Sequence, residues 1–163
     1  MSYRLPREPS TPRITLWRRL RRLGVAQISD GMVALPADAR TREQLEWAAD
    51  HVVEHGGEAH LWLARPATAD EGRALAARMA TERAAEYREV TAAATAALST
   101  SPAQRRRSLA TLRRTQREIT RRDFFPPPDR DAAALALREL AAAVDGEHAP
   151  GTAPDPAAPV VAS

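Results

Sequence analysis

The chain has 163 residues, a formal net charge of +3 and no cysteine. This length allows one ordinary domain with an extension but not two large domains. Without cysteine, disulfides, thiolate metal sites and thiol redox sensing are excluded. No apolar run is long enough to span a membrane and no signal-peptide core is visible, so a cytoplasmic location is expected.

Basic charge is concentrated in two blocks. Residues 1–24 contain seven Arg and one Glu, and residues 102–122 contain eight Arg and one Glu. Residues 27–99 and those from 123 onward are net acidic. Either the acidic segments neutralise the basic blocks within the fold, or the basic blocks meet an external polyanion. Every basic residue is Arg, which suits bidentate phosphate contacts but is also typical of a GC-rich genome.

A short strand over residues 2–5 is the first predicted element, and Pro6 stops it. Ser10 or Thr11 is then expected to cap a helix that has Pro12 in its first turn and ends at Gly24. The side chains of this helix expected to face the core are Ile14, Leu16, Trp17, Leu20 and Leu23.

The next elements are a hairpin, a helix and a strand. Asp30-Gly31 predicts a type I′ turn, because both central residues of that turn need positive φ. Thr41-Arg42-Glu43-Gln44 is a capping box that begins a helix. The corresponding ranges are strands at 25–29 and 32–35, a helix at 41–55 and an alternating strand at 58–65. This order predicts an α+β fold with a ferredoxin-like βαββαβ core over residues 1–66.

The remainder of the chain is predicted to be helical. Capping boxes at Thr68 and Ser101 begin a long helix to about 98 and an Arg-rich helix to about 122. Their apolar stripes predict an antiparallel helical hairpin. A short C-terminal helix over 129–144 completes a helical extension assigned to 67–145, and residues 146–163 are expected to be a disordered tail because they are rich in Ala, Pro and Gly.

Several motifs, in the same order, resemble the amino-terminal domain of the chromate-resistance regulator family ChrB. They extend from residue 3 to about 143 and so cover nearly all of the predicted structure. They are Arg4-Leu5-Pro6-Arg7-Glu8-Pro9-Ser10, Trp17-Arg18-Arg19-Leu20-Arg21-Arg22-Leu23-Gly24, Leu35-Pro36, Thr41-Arg42-Glu43-Gln44, Gly56-Gly57-Glu58-Ala59, Glu86-Tyr87 and Asp123-Phe124-Phe125-Pro126.

This resemblance implies a regulator of a chromate-efflux operon that binds promoter DNA and releases it when chromate is present. Many family members continue into a second domain that this chain lacks. Basic residues of the amino-terminal region are implicated in the family, and the matching positions here are Arg4, Arg7, Arg18, Arg19, Arg21 and Arg22.

The residues themselves support anion recognition. Chromate is a tetrahedral dianion, and guanidinium groups at a helix start can hold such an ion. We therefore assign oxyanion binding to Arg4, Arg7 and Arg13. DNA phosphates require the same chemistry over a wider surface. The DNA-binding candidates are Arg18, Arg19, Arg21, Arg22, Arg105, Arg106, Arg113 and Arg117.

Other interpretations remain open for these residues. The first helix could simply present a solvated basic face, and the arginines of 102–122 could pair with Glu82, Glu86 and Glu89 across the hairpin. The chain could also be a non-enzymatic interaction or dimerisation module. Trp62 lies on the polar side of its predicted strand, and a partner covering that edge would make a homodimer.

Catalysis and cofactors are not expected. No nucleophile has an evident base nearby, and nothing here carries electrons without an added cofactor. His51 and His55 have the helical spacing of a zinc-binding pair, but no third or fourth ligand is evident from the sequence, so no metal site is predicted.

Overall fold

The computed structural model describes residues 1–146. These residues form a four-stranded antiparallel sheet and five helices, a mixed α/β architecture. In chain order the elements are β1 (Ser2–Arg4), α1 (Ser10–Leu23), β2 (Ala26–Ser29), β3 (Met32–Ala34), α2 (Ala39–Glu54), β4 (Glu58–His60), α3 (Ala69–Ala97), α4 (Pro102–Thr120) and α5 (Asp129–Gly146). The predicted disordered tail lies outside the described residues, except that Gly146 ends α5.

The sheet has the strand order β2-β3-β1-β4. β1 is central and pairs with β3 on one side and β4 on the other, with Tyr3 opposite Ala59. α1 and α2 pack against this sheet because each helix has an apolar stripe with helical spacing. The resulting core contains Leu16 and Leu20 of α1, Val33 of β3, and Leu45, Ala48, Ala49 and Val52 of α2.

Fewer residues of α1 are buried in the core than predicted. Ile14 and Trp17 are 47% and 49% exposed, and Leu23 is only half-buried. The strands are three or four residues long and offer α1 little surface. Leu16 and Leu20, one turn apart, are the α1 residues that are fully buried.

Two predicted helix starts are wrong by a few residues. Pro9 precedes the first turn of α1, and neither Ser10 nor Thr11 caps it with a side chain. The capping box of α2 begins at Asp38, whose carboxylate accepts the backbone N–H of Thr41 at 2.7 Å. This bond lowers the pKa of Asp38. An ionised carboxylate is a stronger acceptor than the predicted Thr41 cap, and the Thr41 hydroxyl instead donates to the carbonyl of Pro36 at 2.5 Å.

The β2–β3 turn is not of type I′. Gly31 has φ +72°, but no non-glycine residue among the described ones has positive φ, and this includes Asp30. A Cβ at Gly31 would collide with the carbonyl oxygen of Tyr3, and the Tyr3 N–H donates to the Gly31 carbonyl at 2.7 Å. The turn is therefore shaped by its contact with β1, which a local turn rule does not include.

β4 ends at His60 rather than at the predicted residue 65. His60 pairs with Ser2, the first residue of β1, so the neighbouring strand offers no further backbone partner. Residues 61–65 are all exposed, and the side chain of Trp62 is 65% exposed as its position on the polar side of the strand predicts.

The second half of the described chain is a three-helix unit with its own core. Tyr87 and Val90 of α3, Leu109 and Ile119 of α4, and Leu137 and Leu140 of α5 are buried together. Thr68 caps α3 with Glu71 as predicted, whereas Ser101 makes no side-chain cap bond. α5 is not a short appendage, since its 18 residues pack along α3 and close the hairpin of α3 and α4.

A cluster of charged side chains in the helical half lies against the end of α1. Glu86 of α3 contacts Arg83 at 3.3 Å and Arg122 at 3.2 Å, and Arg83 is 8% exposed. Gly24 ends α1 directly above this cluster with φ +73°, and a Cβ there would lie 2.8 Å from the Cβ of Arg122. Only glycine allows both this backbone conformation and this close approach.

Among residues 1–146, no helix is both long and apolar enough to cross a membrane.

Candidate anion-binding cleft and nucleic-acid interface

The three arginines predicted to bind an oxyanion line one cleft. Arg4 ends β1, Arg7 lies in the loop that follows, and Arg13 is in the first turns of α1. They surround an open space of about 840 Å³ between the sheet and α1. We call this space the arginine cleft. It is also lined by Tyr3, Leu5, Ser10, Ile14, Leu16, Trp17, Arg18, Gln27, Asp30 and Gly31.

The lining of the cleft is net positive. Four arginines are among its lining residues, with one carboxylate, that of Asp30. Guanidinium groups from three different segments can therefore approach a small anion from several sides. Planar guanidinium groups hold tetrahedral oxyanions through paired N–H bonds, so this arrangement suits such a ligand.

Tyr3 is a cleft residue that the sequence analysis missed. Its hydroxyl is partly buried, and this burial raises the pKa of Tyr3, as does the negative charge of Asp30, while Arg13 lowers it. The hydroxyl is therefore protonated at neutral pH and can donate a hydrogen bond to an oxyanion. Its position on a short strand does not indicate a binding role in the sequence, because the cleft forms only when α1 packs beside β1.

The four predicted DNA contacts on α1 divide into two groups. Trp17, Arg18, Arg21 and Arg22 share one exposed surface, where the guanidinium of Arg21 lies 5.0 Å from the Trp17 ring. Arg19 is half-buried and lies 5.8 Å from the ring of Trp47 on α2. The structure therefore keeps Arg18, Arg21 and Arg22 together and turns Arg19 toward the neighbouring helix.

The second basic block forms an exposed face on α4. Arg106, Arg113 and Arg117 are exposed at intervals of seven and four residues, which places them on one side of the helix over about 16 Å. We call these three residues the α4 arginine face. Among residues 1–146, none of them forms an ion pair. Arg107, Arg114 and Arg121 are exposed beside them.

Pairing across the hairpin occurs at the end of the block only. Arg122 contacts Glu86, while no ion pair within the described residues joins the α4 arginine face to Glu82 or Glu89. Arg105 differs from the face because it is half-buried and its Nε donates to the carbonyl of Thr100 at 3.0 Å. It thus contributes to the connection between α3 and α4.

The two basic blocks meet in the folded chain. Arg122 Nη1 donates to the carbonyl of Arg21 at 3.4 Å, so the side chain of Arg122, two residues after α4, reaches the end of α1. Arg40, at the start of α2, donates to the carbonyl of Arg121 at 3.3 Å. Arg40 is the second functional candidate that the sequence analysis missed. Segments about a hundred residues apart thus meet at the C-terminal ends of the two basic blocks.

The fold and these surfaces define a mixed α/β protein with a cleft lined by arginines and an exposed basic helix. The family model described as "Protein ChrB, N-terminal" matches residues 13–99. Protein ChrB of Cupriavidus metallidurans is 30% identical over 151 residues, which are 90% of this chain and 46% of that protein. No solved structure matches the chain.

The chain therefore belongs to the ChrB family and corresponds to its amino-terminal domain. It spans about half the length of the curated relative that it matches.

Proposed function

We propose that this chain is a chromate-responsive, DNA-binding regulator of a chromate-resistance operon. The α4 arginine face and the adjoining arginines of α1 contact DNA phosphates, and the arginine cleft binds the oxyanion. We place it in the cytoplasm and assign it no enzymatic activity. The observation that carries this proposal is the meeting of the two basic blocks through Arg122 and Arg21.

The DNA contact is supported by the shape and the state of the basic surface. The side chains of the α4 arginine face are exposed and without ion-pair partners among the described residues, so no ion pair within residues 1–146 competes with phosphates for them. The face extends over about 16 Å along a straight helix. Phosphates recur every 3.4 Å of helix axis along one strand, so this length suits several contacts to one DNA backbone.

A shared residue links the oxyanion cleft to the DNA-binding surface. Arg18 lines the arginine cleft and also belongs to the exposed surface with Arg21 and Arg22. An oxyanion that engages Arg18 removes one positive charge from that surface. Occupation of the cleft therefore weakens phosphate binding, which is the direction that release of DNA by chromate requires.

We also propose that the first half of the chain has the ferredoxin-like arrangement. Its elements run β1-α1-β2-β3-α2-β4, and its strands lie in the order β2-β3-β1-β4. Both features are those of a split βαβ fold. In this arrangement the N-terminal turns of α1 lie beside the end of β1, and that proximity creates the arginine cleft.

The direct test is a salt-titrated binding measurement with the DNA upstream of the protein's own gene. We expect tight, sequence-dependent binding at low salt, a steep fall of affinity with salt, and release by chromate. Sodium chloride at the same ionic strength is the control for a general salt effect. Failure to bind at low salt, or binding indifferent to both sequence and chromate, contradicts the proposal.

A dimerisation or interaction module is the alternative, and one observation favours it. Leu61, Trp62 and Leu63 are exposed beside an apolar cleft of about 630 Å³ that also contains Met1 and Leu45. Exposed apolar groups of this kind often mark protein contacts. Light scattering with and without DNA separates the two functions, since a pure scaffold forms oligomers and ignores DNA.

A further inference from the structure

The C-terminal turn of α2 carries three potential metal ligands on one side. His51, Glu54 and His55 each offer one ligand atom, and the three atoms lie within 4.8 Å of one another. The sequence analysis recognised the histidine pair but not a third ligand. Glu54 supplies it, because residues three and four positions apart share a helix face.

Each imidazole places one ring nitrogen at a backbone carbonyl and so leaves the other nitrogen to bind a metal. His51 Nε2 lies 3.3 Å from the carbonyl of Pro12, and His55 Nδ1 lies 2.8 Å from the carbonyl of His51. A carbonyl oxygen can only accept, so these two nitrogens carry the protons. Nδ1 of His51 and Nε2 of His55 therefore keep their lone pairs. Metal-bound histidines usually donate their other N–H to a carbonyl or carboxylate in this way.

The surroundings also favour a cation. Glu54 is the last residue of α2 and His55 is its C-terminal cap, where the carbonyl end of the helix dipole is negative. The two rings are close, with centroids 4.3 Å apart. Glu54 and His55 are exposed and His51 is half-buried, so water can complete a coordination shell.

We propose that His51, Glu54 and His55 bind a divalent transition metal of the zinc class. Two imidazoles and one carboxylate are typical zinc ligands, whereas magnesium and calcium prefer oxygen alone. Bonds of about 2.0–2.2 Å to a tetrahedral ion bring ligand atoms to roughly 3.4 Å from one another. Rotation of the exposed Glu54 side chain and small shifts of the two rings, with their carbonyl hydrogen bonds kept, close the remaining gap.

The site has a structural consequence. His51 is hydrogen-bonded to the carbonyl of Pro12, the residue before Arg13 of the arginine cleft. An ion bound at the end of α2 therefore also restrains the first turns of α1. We expect metal to raise the melting temperature of the full chain, because a ligand that binds only the folded state stabilises it. Zinc binding at these three residues requires neither the proposed DNA binding nor the proposed oxyanion binding.

The test is a zinc titration of the full-length chain against a coloured chelator, with cobalt(II) as a spectroscopic probe. We expect one zinc per chain and an intense visible absorption from tetrahedral cobalt, while magnesium has no effect. Loss of a hydrogen-bond partner behind a ligand already weakens binding by about 10- to 100-fold. The ligand substitutions Glu54→Gln and His55→Ala are therefore expected to weaken zinc binding by at least about tenfold.

His60→Ala and His148→Ala are the matched controls, since they remove the other two histidines of the chain. Both are expected to leave zinc affinity unchanged. Circular dichroism without metal shows whether each variant folds, and Glu54→Gln keeps the shape of an exposed side chain. Zinc binding that is absent, or that keeps its affinity in both ligand-substituted variants, overturns the proposal.

Discussion

The arginine cleft and the α4 arginine face use the same side chain in two opposite geometries. In the cleft, arginines from a strand, a loop and a helix line a space of about 840 Å³ together with Tyr3. On α4, arginines from one helix point outward in a row. A concave site with convergent donors selects a small anion, whereas a straight convex row matches a repeating polyanion. Geometry therefore distinguishes the two proposed functions, which composition alone does not.

The largest expected effect is on the α4 arginine face. Arg106→Ala, Arg113→Ala and Arg117→Ala together should lower DNA affinity by about 10²- to 10³-fold near 0.1 M salt and reduce the salt slope by roughly 2 to 3, since each lost phosphate contact removes nearly one released counterion. Fluorescence anisotropy measures both quantities. Oxyanion binding in the cleft should be unchanged.

A matched triple variant controls for net charge. Arg65, Arg73 and Arg138 are exposed and lie outside both surfaces. Their replacement by Ala removes the same three charges. If it lowers DNA affinity as much as the α4 variant does, the face has no special role and binding reflects total charge.

The next largest effect concerns the contact between Gly24, at the end of α1, and Arg122. Gly24→Ala should lower the free energy of unfolding by about 2–4 kcal/mol, because a Cβ is disfavoured at positive φ and would crowd Arg122. Gly56→Ala is its control, since Gly56 has φ +74° and its Cβ would meet nothing within 4 Å. Denaturant unfolding of both variants isolates the contact with Arg122. If both variants lose the same free energy of unfolding, crowding against Arg122 contributes nothing to the effect of Gly24→Ala.

A smaller effect is expected in the arginine cleft. Arg7→Ala or Arg13→Ala should weaken oxyanion binding by about 10- to 100-fold, the equivalent of a lost hydrogen bond from a charged group. Isothermal titration with chromate and with sulfate measures this loss. DNA binding without oxyanion should change little. Chromate affinity that is unaltered in both variants removes the cleft from the proposal.

The smallest expected effect is a fall in stability at alkaline pH. Each half of the chain contributes to it through one tyrosine. The chain has two tyrosines, Tyr3 beside the cleft and Tyr87 in the helical core, and burial raises the pKa of both. The folded chain therefore retains protons that the unfolded chain loses near pH 10, so stability falls as pH rises above that value.

Tyr3→Phe and Tyr87→Phe should each flatten this fall in the pH dependence of unfolding. Tyr87→Phe should also lower stability at neutral pH, because the Tyr87 hydroxyl donates to a carboxylate oxygen of Asp123 at 3.0 Å. A pH dependence that neither substitution alters would show that the tyrosines do not titrate differently in the folded state.

The sequence alone indicated most of the local structure and the family. Apolar spacing located the five helices, Gly24 ended α1 as predicted, and the Thr68 capping box began α3. Ordered motifs pointed to the ChrB family, which the comparisons bear out. These features depend on residues that are close in sequence, so periodicity and capping rules can reach them.

Tertiary structure decided how the arginines are used. Ile14 and Trp17 carry a core pattern but border the arginine cleft, because the short strands beneath α1 leave them no partner. The end of β4 depends on where β1 begins, and the conformation of Gly31 depends on its contact with Tyr3. The meeting of Arg21 with Arg122 joins segments about a hundred residues apart. Contacts between distant segments have no local signature, so only packing could place the two basic blocks side by side.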